Sequence, residues 1–356
     1  MISGCIYTKN MTDWKEILAA SVKKAEDLPG YLNIDSREIE RVSGVYPMLV
    51  NPYYLSLMKE NGKPALTQAI PNQRELDDLE SSPDPLCEDI QSPVPGLIHR
   101  YPDRVVLLVS NKCAMYCRHC MRKRRVGLNT FGNIFDLEKA CEYISENPEI
   151  TEAIVSGGDP FLLEDEKIEE ILYSLRAIKH LEVIRIHTRI PCVLPQRVTP
   201  ELAGIIRKFH PVFINIQFNH SSEITEEAKR SCSILADAGI ALGCQSVLLK
   251  GVNDSEEEIR RLMKKLMKNR VKPYYLHHPD PVKGTSHFRL PVKRGLEIMA
   301  SLRGHVSGMC VPHYMIDLPG GGGKTPVLPE YVMEAVNGWI KVRNFEGKIF
   351  RYPDSP

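Results

Sequence analysis

A partial barrel of six βα units is the α/β architecture this sequence predicts, and three observations carry it. Apolar, β-branched runs alternate with capped amphipathic segments from residue 104 to residue 303. The runs are apolar on both faces, as strands of a parallel sheet covered on each side must be. Polar residues able to do chemistry gather at the C-terminal ends of those runs, which a barrel brings to one mouth. An open doubly wound sheet also satisfies the first two observations; the third favours the barrel.

Taken in order, residues 1–30 read as helical, with Thr12 or Asp13 capping "WKEILAASVKKAEDL". The stretch 60–100 is rich in proline and acid ("PNQRELDDLESSPDPLCEDIQSPVPGL") and reads as a connecting arm outside the core. Strands are predicted at 104–110, 152–158, 183–189, 212–219, 240–249 and 272–278. Helices are predicted at 136–146, 165–179, 200–209, 222–238, 254–268 and 292–303, several behind good caps such as Thr199 and the "NDS" before "EEEIRRLMKKL". The chain thus divides into an N-terminal helical region with its arm (1–100), the partial barrel (101–305) and a C-terminal segment (306–356).

Composition narrows the class. The 356 residues suffice for one large α/β domain with additions or for two domains, and 43% hydrophobic with 26% charged residues is ordinary for a globular protein. A formal net charge of +1 gives no overall pull toward nucleic acid or membrane. The N-terminus lacks the apolar run of a signal peptide, and no stretch approaches the roughly 18 apolar residues of a membrane span. A cytoplasmic protein with neither membrane nor nucleic acid as partner is expected. Its ten cysteines then read as reduced thiols. Seven (Cys5, Cys87, Cys141, Cys192, Cys232, Cys244, Cys310) are scattered and read as small buried residues.

The other three stand together. "CAMYCRHC" places Cys113, Cys117 and Cys120 on the loop after the first barrel strand. Three thiolates fit zinc, with His119 as a fourth ligand, or an iron–sulfur cluster with one iron left open. Closed zinc sites usually pair two CxxC knuckles, so the spacing favours iron. "SGGDP" (156–160) leaves the second strand in a turn whose glycines permit close backbone approach. "DLPGGGGKTPV" (317–327) suggests a backbone cradle for an anion beside Lys324. It fails as a P-loop, because Leu318 occupies the first glycine position and no strand-like run leads into it. A lysine beside such a cradle can instead form a Schiff base with pyridoxal phosphate.

With "HRYPDRV", "FNHSSEIT", "CQSVLLKGVND" and "PYYLHHPDPVKGTSHF", these motifs resemble the radical S-adenosylmethionine enzymes, and among them the pyridoxal-phosphate-dependent lysine 2,3-aminomutase family. The resemblance runs from about residue 90 to 350, most of the chain. It implies a [4Fe-4S] cluster on Cys113, Cys117 and Cys120, whose open iron chelates S-adenosylmethionine. It implies that Ser156, Gly157, Gly158 and Asp159 hold the methionyl amino group, and that Gln245 belongs to the cofactor-binding set. Lys324 matches the lysine that binds pyridoxal 5′-phosphate, with Gly321, Gly322 and Gly323 beside it. Arg100, Tyr101 and Arg104 match the segment that contacts that cofactor. The basic run Arg122–Arg125 has no interleaved aromatic residues to suggest nucleic acid, and by resemblance Arg122 pairs with the substrate α-carboxylate. Asp280 and Asp317 match two aspartates that clasp a side-chain ammonium, so a cationic amino acid is expected.

The implied enzyme is an isomerase, an intramolecular aminotransferase converting L-lysine to β-lysine, served by a reducing electron donor and assembled as a homo-oligomer. The C-terminal segment would carry the pyridoxal loop and assembly contacts. Alternatives are an aminomutase for arginine or another amino acid, and an RNA-modifying radical enzyme. The sequence also departs from the family pattern. It carries no cysteine-rich tail, and Ser255 replaces the internal cysteine of a zinc site, so no structural zinc is expected. Gln217 and the run His277, His278, Pro279 depart from it near the site and leave the substrate open.

Overall fold

The computed structural model describes residues 13–127, 135–336 and 338–354. Asp13 caps α1 (Trp14–Ala19), its carboxylate accepting from the Lys15 N–H at 2.8 Å; Thr12 and Cys5 lie outside the described residues. The long helix expected over residues 1–30 is corrected, because α1 ends at Ala19 and only short 3₁₀ turns follow at Ala25–Asp27 and Gly30–Leu32. Val22 instead exchanges backbone hydrogen bonds with Val50 at 2.8 and 3.0 Å, which consumes the groups another helical turn would need.

Helices α2 (Ser36–Ser43), α3 (Pro52–Asn61) and α4 (Lys63–Ala69) follow. The region read as an arm outside the core is also corrected. Ala65, Ala69, Ile70, Leu86, Leu97 and Ile98 are buried, and so are the carboxylates of Glu75, Asp78 and Glu88. Those acids tie the segment down. Asp78 accepts the backbone N–H groups of Gly284, Thr285 and Ser286 at 3.0, 3.2 and 3.1 Å. Glu75 pairs with Arg118 and Lys123, each at 2.6 Å.

Among the described residues one sheet holds nine strands in chain order: β1 (Leu97–Tyr101), β2 (Arg104–Ser110), β3 (Glu152–Gly157), β4 (Val183–Thr188), β5 (Val212–Ile216), β6 (Ala241–Val247), β7 (Val271–His277), β8 (His313–Leu318) and β9 (Gly323–Pro326). β2 to β8 pair in parallel, while β1 and β9 are antiparallel edges. The six predicted strands are all present. β8 and β9 extend the sheet into the C-terminal segment. A strand therefore does lead into the glycine run, contrary to expectation. Another strand and not a helix follows it, so the fold still lacks a P-loop.

Helices cover the outside: α5 (Leu137–Glu146), α6 (Asp165–Arg176), the single turn α7 (Ile190–Val193), α8 (Pro200–Ile206), α9 (Glu226–Asp237), α10 (Glu256–Lys268) and α11 (Val292–Leu302). α10 shows why these sequences form helices. Ile259, Leu262, Met263 and Leu266 recur at three- and four-residue spacing and are all buried. Ser255 caps its start before three glutamates, and Lys265 and Lys268 close its end, each sign suiting the helix dipole. A separate antiparallel sheet of β10 (Val332–Val336), β11 (Trp339–Arg343) and β12 (Ile349–Pro353) ends the described chain.

Of the scattered cysteines, Cys192, Cys232, Cys244 and Cys310 are buried as expected, while Cys87 and Cys141 are half-buried. Among the described residues no helix is long and apolar enough to cross a membrane.

Candidate active site

The C-terminal strand ends surround a cavity of about 460 Å³, within the range of small-molecule sites. Every singled-out site residue lines it except Gly321, Gly322 and Gly323. Cys113, Cys117 and Cys120 form one wall, on the loop that leaves β2. Burial, then the neighbouring thiol of Cys120 and the carboxylate of Asp159, push the Cys113 thiol well up. Burial likewise pushes Cys120 up to about 11. Burial thus disfavours the thiolate form of Cys113 and Cys120, a penalty that a bound cationic metal group would reverse.

The turn after β3 meets this loop directly. The Gly158 N–H donates to Ser110 O at 2.5 Å and the Asp159 N–H to Lys112 O at 2.7 Å. A Cβ on Gly157 (φ +123) would lie 2.3 Å from Ser110 O, and one on Gly158 2.3 Å from Lys112 O. Glycine is therefore required at both positions by proximity. Asp159 turns inward: Thr188 Oγ1 and the Arg189 N–H donate to its carboxylate at 2.7 Å, and the Phe161 N–H at 3.1 Å. Burial raises its carboxyl to about 6 despite those donors. What this turn offers a ligand is chiefly backbone and the Ser156 hydroxyl.

Across the cavity, Lys324 projects from β9 and its ammonium binds the Asp317 carboxylate of β8. Its backbone N–H donates to Tyr101 Oη at 2.7 Å. Arg104 stacks 4.4 Å from the Tyr101 ring, and Arg100 Nη1 lies 3.7 Å from Asp317 Oδ1. That oxygen is buried without a hydrogen-bond partner among the described residues. The three glycines lie behind Lys324. Gly321 abuts Gln91, Gly322 abuts Leu318 and Gly323 abuts Tyr101. Gly321 (φ +84) lies in the tight β8–β9 turn and Gly323 (φ +83) opens β9.

Asp280 follows β7. Burial, then the Asp317 carboxylate, raises its carboxyl to about 7. Burial and Lys324 hold His277 well below its ordinary range, and burial and Arg185 do so for His187, so both imidazoles are neutral. His187 is bonded to Asn215 at Nε2 (3.1 Å) and Gln245 at Nδ1 (3.2 Å). Gln217 and Asn219 amides reach His119 Nε2 at 3.3 and 3.2 Å, leaving its buried Nδ1 without a partner among the described residues. Ser255 Oγ accepts from the Glu258 N–H at 3.2 Å and so caps α10.

The basic run is internal, not a surface patch. Arg122 Nη2 and Nε contact Glu88 at 2.7 and 3.1 Å, leaving Nη1 3.5 Å from Ser156 Oγ. Lys123 pairs with Glu75, Arg124 with Asp84 at 3.0 Å, and Arg125 with Asp89. Nucleic acid would have to displace four acidic partners. Sequence reasoning missed Glu88, whose acid-rich surroundings looked solvated. It also missed Gln68, a buried polar group with no motif of its own, and Glu223, which lies within "FNHSSEIT" but had no assigned role.

These residues suit the groups that the motifs imply. A thiol wall able to hold a cluster adjoins a turn able to take a zwitterion through its backbone. Opposite them an amine, an orphaned carboxylate oxygen and two arginines surround room for a phosphorylated ring.

Comparison with known proteins agrees. Residues 107–263 match the model of the radical SAM superfamily and residues 299–356 that of lysine-2,3-aminomutase. An L-lysine 2,3-aminomutase of Clostridium subterminale is 47% identical over 96% of this chain and 84% of its own. One from Acetoanaerobium sticklandii is 47% identical over 98% of this chain and 86% of its own. A glutamate 2,3-aminomutase of Clostridioides difficile is 39% identical over 98% of this chain and 84% of its own.

Proposed function

Because the chain belongs to the lysine 2,3-aminomutase family of radical S-adenosylmethionine enzymes, we propose that it moves the α-amino group of L-lysine from C2 to C3, giving β-lysine. The observation that carries the choice of substrate is the pair Asp280 and Asp317. Burial and the nearby Asp317 carboxylate raise the proton affinity of Asp280, and the ammonium of Lys324 already sits on Asp317. A lysine side chain brings the same charged group to the same place, whereas glutamate would add a third carboxylate. His187 and His277, held neutral, add no charge to repel it.

The family's cofactors are a [4Fe-4S] cluster, S-adenosylmethionine and pyridoxal phosphate. When bound, they supply the radical chemistry that removes and returns a hydrogen atom and the conjugated ring that delocalises the unpaired electron during nitrogen migration. The chain's own residues hold and orient. Cys113, Cys117 and Cys120 would ligate the cluster, and Ser156 to Asp159 with Gln245 would position S-adenosylmethionine. Lys324 would bind the pyridoxal carbonyl, with Arg100 and Arg104 beside it to take the phosphate. Arg122, aligned by Glu88, would present its remaining Nη1 to the substrate carboxylate. Leu86, Ile98, Val106, Met115, Ile154 and Phe288 line the same cavity and keep water from the reacting carbons. Hydrogen transfer itself needs no side-chain base.

The partners are an amino-acid substrate and an electron donor of low potential. The exposed Trp339, Phe350 and Tyr352 of the small sheet favour a homo-oligomer, and reduced thiols favour a cytoplasmic setting. Anaerobically reconstituted protein given dithionite, S-adenosylmethionine and L-lysine yields β-lysine, read by mass spectrometry, and L-glutamate yields no β-isomer. Turnover of arginine or glutamate in preference to lysine would overturn the substrate assignment.

A further inference from the structure

Arg189, immediately after β4, has no role in the reading above. Its guanidinium is buried, 7% exposed, and Nη1 donates to Cys117 Sγ at 2.7 Å. Nη2 donates to Gln68 Oε1 at 2.6 Å and Glu223 Oε1 at 2.9 Å, while the backbone N–H is held by Asp159. Glu223 is itself immobilised: Tyr54 Oη donates to it at 2.8 Å, the Asn219 N–H at 2.7 Å and the His220 N–H at 2.9 Å. Gln68 comes from α4, Glu223 from the turn after β5 and Asp159 from the turn after β3. Three distant segments thus aim one desolvated cation at one thiol of the cysteine loop. This contact is recorded on Cys117 alone of the three thiols among the described residues.

We propose that Arg189 is a positioning residue that raises the reduction potential of the cluster through Cys117, with Glu223 limiting the size of the effect. The inference rests on the proposed ligation by the three cysteines. When the cluster accepts one electron from an external low-potential reductant, negative charge accumulates on the core and its sulfur ligands. A fixed cation donating to one ligand sulfur stabilises the reduced form more than the oxidised form, and hydrogen bonds to sulfur are a known lever on such potentials. Burial strengthens the effect, because little water screens it. The Glu223 carboxylate behind the guanidinium opposes it. No bond to Arg189 forms or breaks, and its proton stays in place.

The test is a redox titration of anaerobically reconstituted holoprotein, followed by electron paramagnetic resonance, with iron content measured on the same samples. Arg189→Gln should lower the reduced-to-oxidised ratio at a fixed potential about tenfold, a shift of about 59 mV for one electron. Arg189→Lys keeps the charge and should shift less, and Glu223→Gln should shift the midpoint in the opposite direction. A cluster-loaded Arg189→Gln with the wild-type midpoint would overturn the proposal, as would a Glu223→Gln that shifts the same way as Arg189→Gln. Should Arg189→Gln fail to hold iron, the lysine and Glu223 variants decide by the same criteria. Full iron content in Cys117→Ala would sink the ligation instead, which separates the two failures.

Discussion

The backbone N–H of Lys324 donates to the hydroxyl of Tyr101 at 2.7 Å, across 223 residues of chain. Tyr101 ends β1 and Lys324 lies in β9, so this bond joins the two outer edges of the nine-stranded sheet. Arg100 reaches toward Asp317 across the same gap. Where a closed barrel would continue its ladder, this one places the residues expected to hold pyridoxal phosphate. The opening in the sheet is part of the site.

Removing that link weakens the cofactor's seat without touching the cysteine loop. Tyr101→Phe loses one hydrogen bond, worth about 1 kcal/mol. Pyridoxal phosphate should then bind about fivefold more weakly by absorbance titration, with iron content unchanged.

Lys324→Ala is expected to abolish the borohydride-reducible pyridoxal absorption while the protein still takes up about four irons per chain, as one cubane requires. A reducible band that survives the substitution refutes the assignment of Lys324.

Asp280 makes substrate recognition depend on pH. Its carboxyl is raised to about 7, so as pH falls through 7 it gains a proton and loses the charge that attracts an ammonium. kcat/KM for L-lysine should therefore fall on the acid side of neutrality. Asp280→Asn should lower kcat/KM at pH 8 by roughly tenfold or more, the scale of one charge-assisted contact, and should flatten that acid limb.

Gly158→Ala puts a methyl group 2.3 Å from Lys112 O and 2.8 Å from the Asn111 carbonyl carbon, both backbone atoms. The β3 turn and the cysteine loop must then separate. Iron content and S-adenosylmethionine binding, measured by equilibrium dialysis, should both drop, whereas Gly204→Ala, with nothing within 4 Å, should change neither.

Glu75→Ala leaves Arg118 and Lys123 buried without their carboxylate and should cost about 3–5 kcal/mol in a urea titration. Burial alone would raise the Glu75 carboxyl, but Arg118 and Lys123 outweigh it and hold it below its ordinary value. Its contribution is thus complete above the unfolded carboxylate range and is lost as pH falls through the lower folded value. Wild-type stability should decline on acidification in that window more steeply than that of Glu75→Gln.

Much of this was legible beforehand. "RVVLLVS", "EAIVSGG" and "VIRIHTR" became β2, β3 and β4 almost to the residue, because period, β-branching and caps are local properties. The thiol spacing, the glycine turn and Lys324 were visible because a motif needs few residues close together. The arm was misread because proline and acid normally mark solvated chain. Here Glu75 and Glu88 are buried against Arg118, Lys123 and Arg122, up to 48 residues away. Which way the glycine run faces was not legible, because sequence records that a turn is permissive, not its direction.

By itself, then, the sequence determined the order of strands and helices, the three thiols, the lysine and the acids at the strand ends. Only the tertiary structure decided which charge meets which: Glu88 on Arg122, Asp317 on Lys324, Arg189 on Cys117. The reason is physical. Helix and strand formation depend on neighbours a few residues apart, whereas the worth of a charge depends on distance and burial, which exist only after the chain has folded.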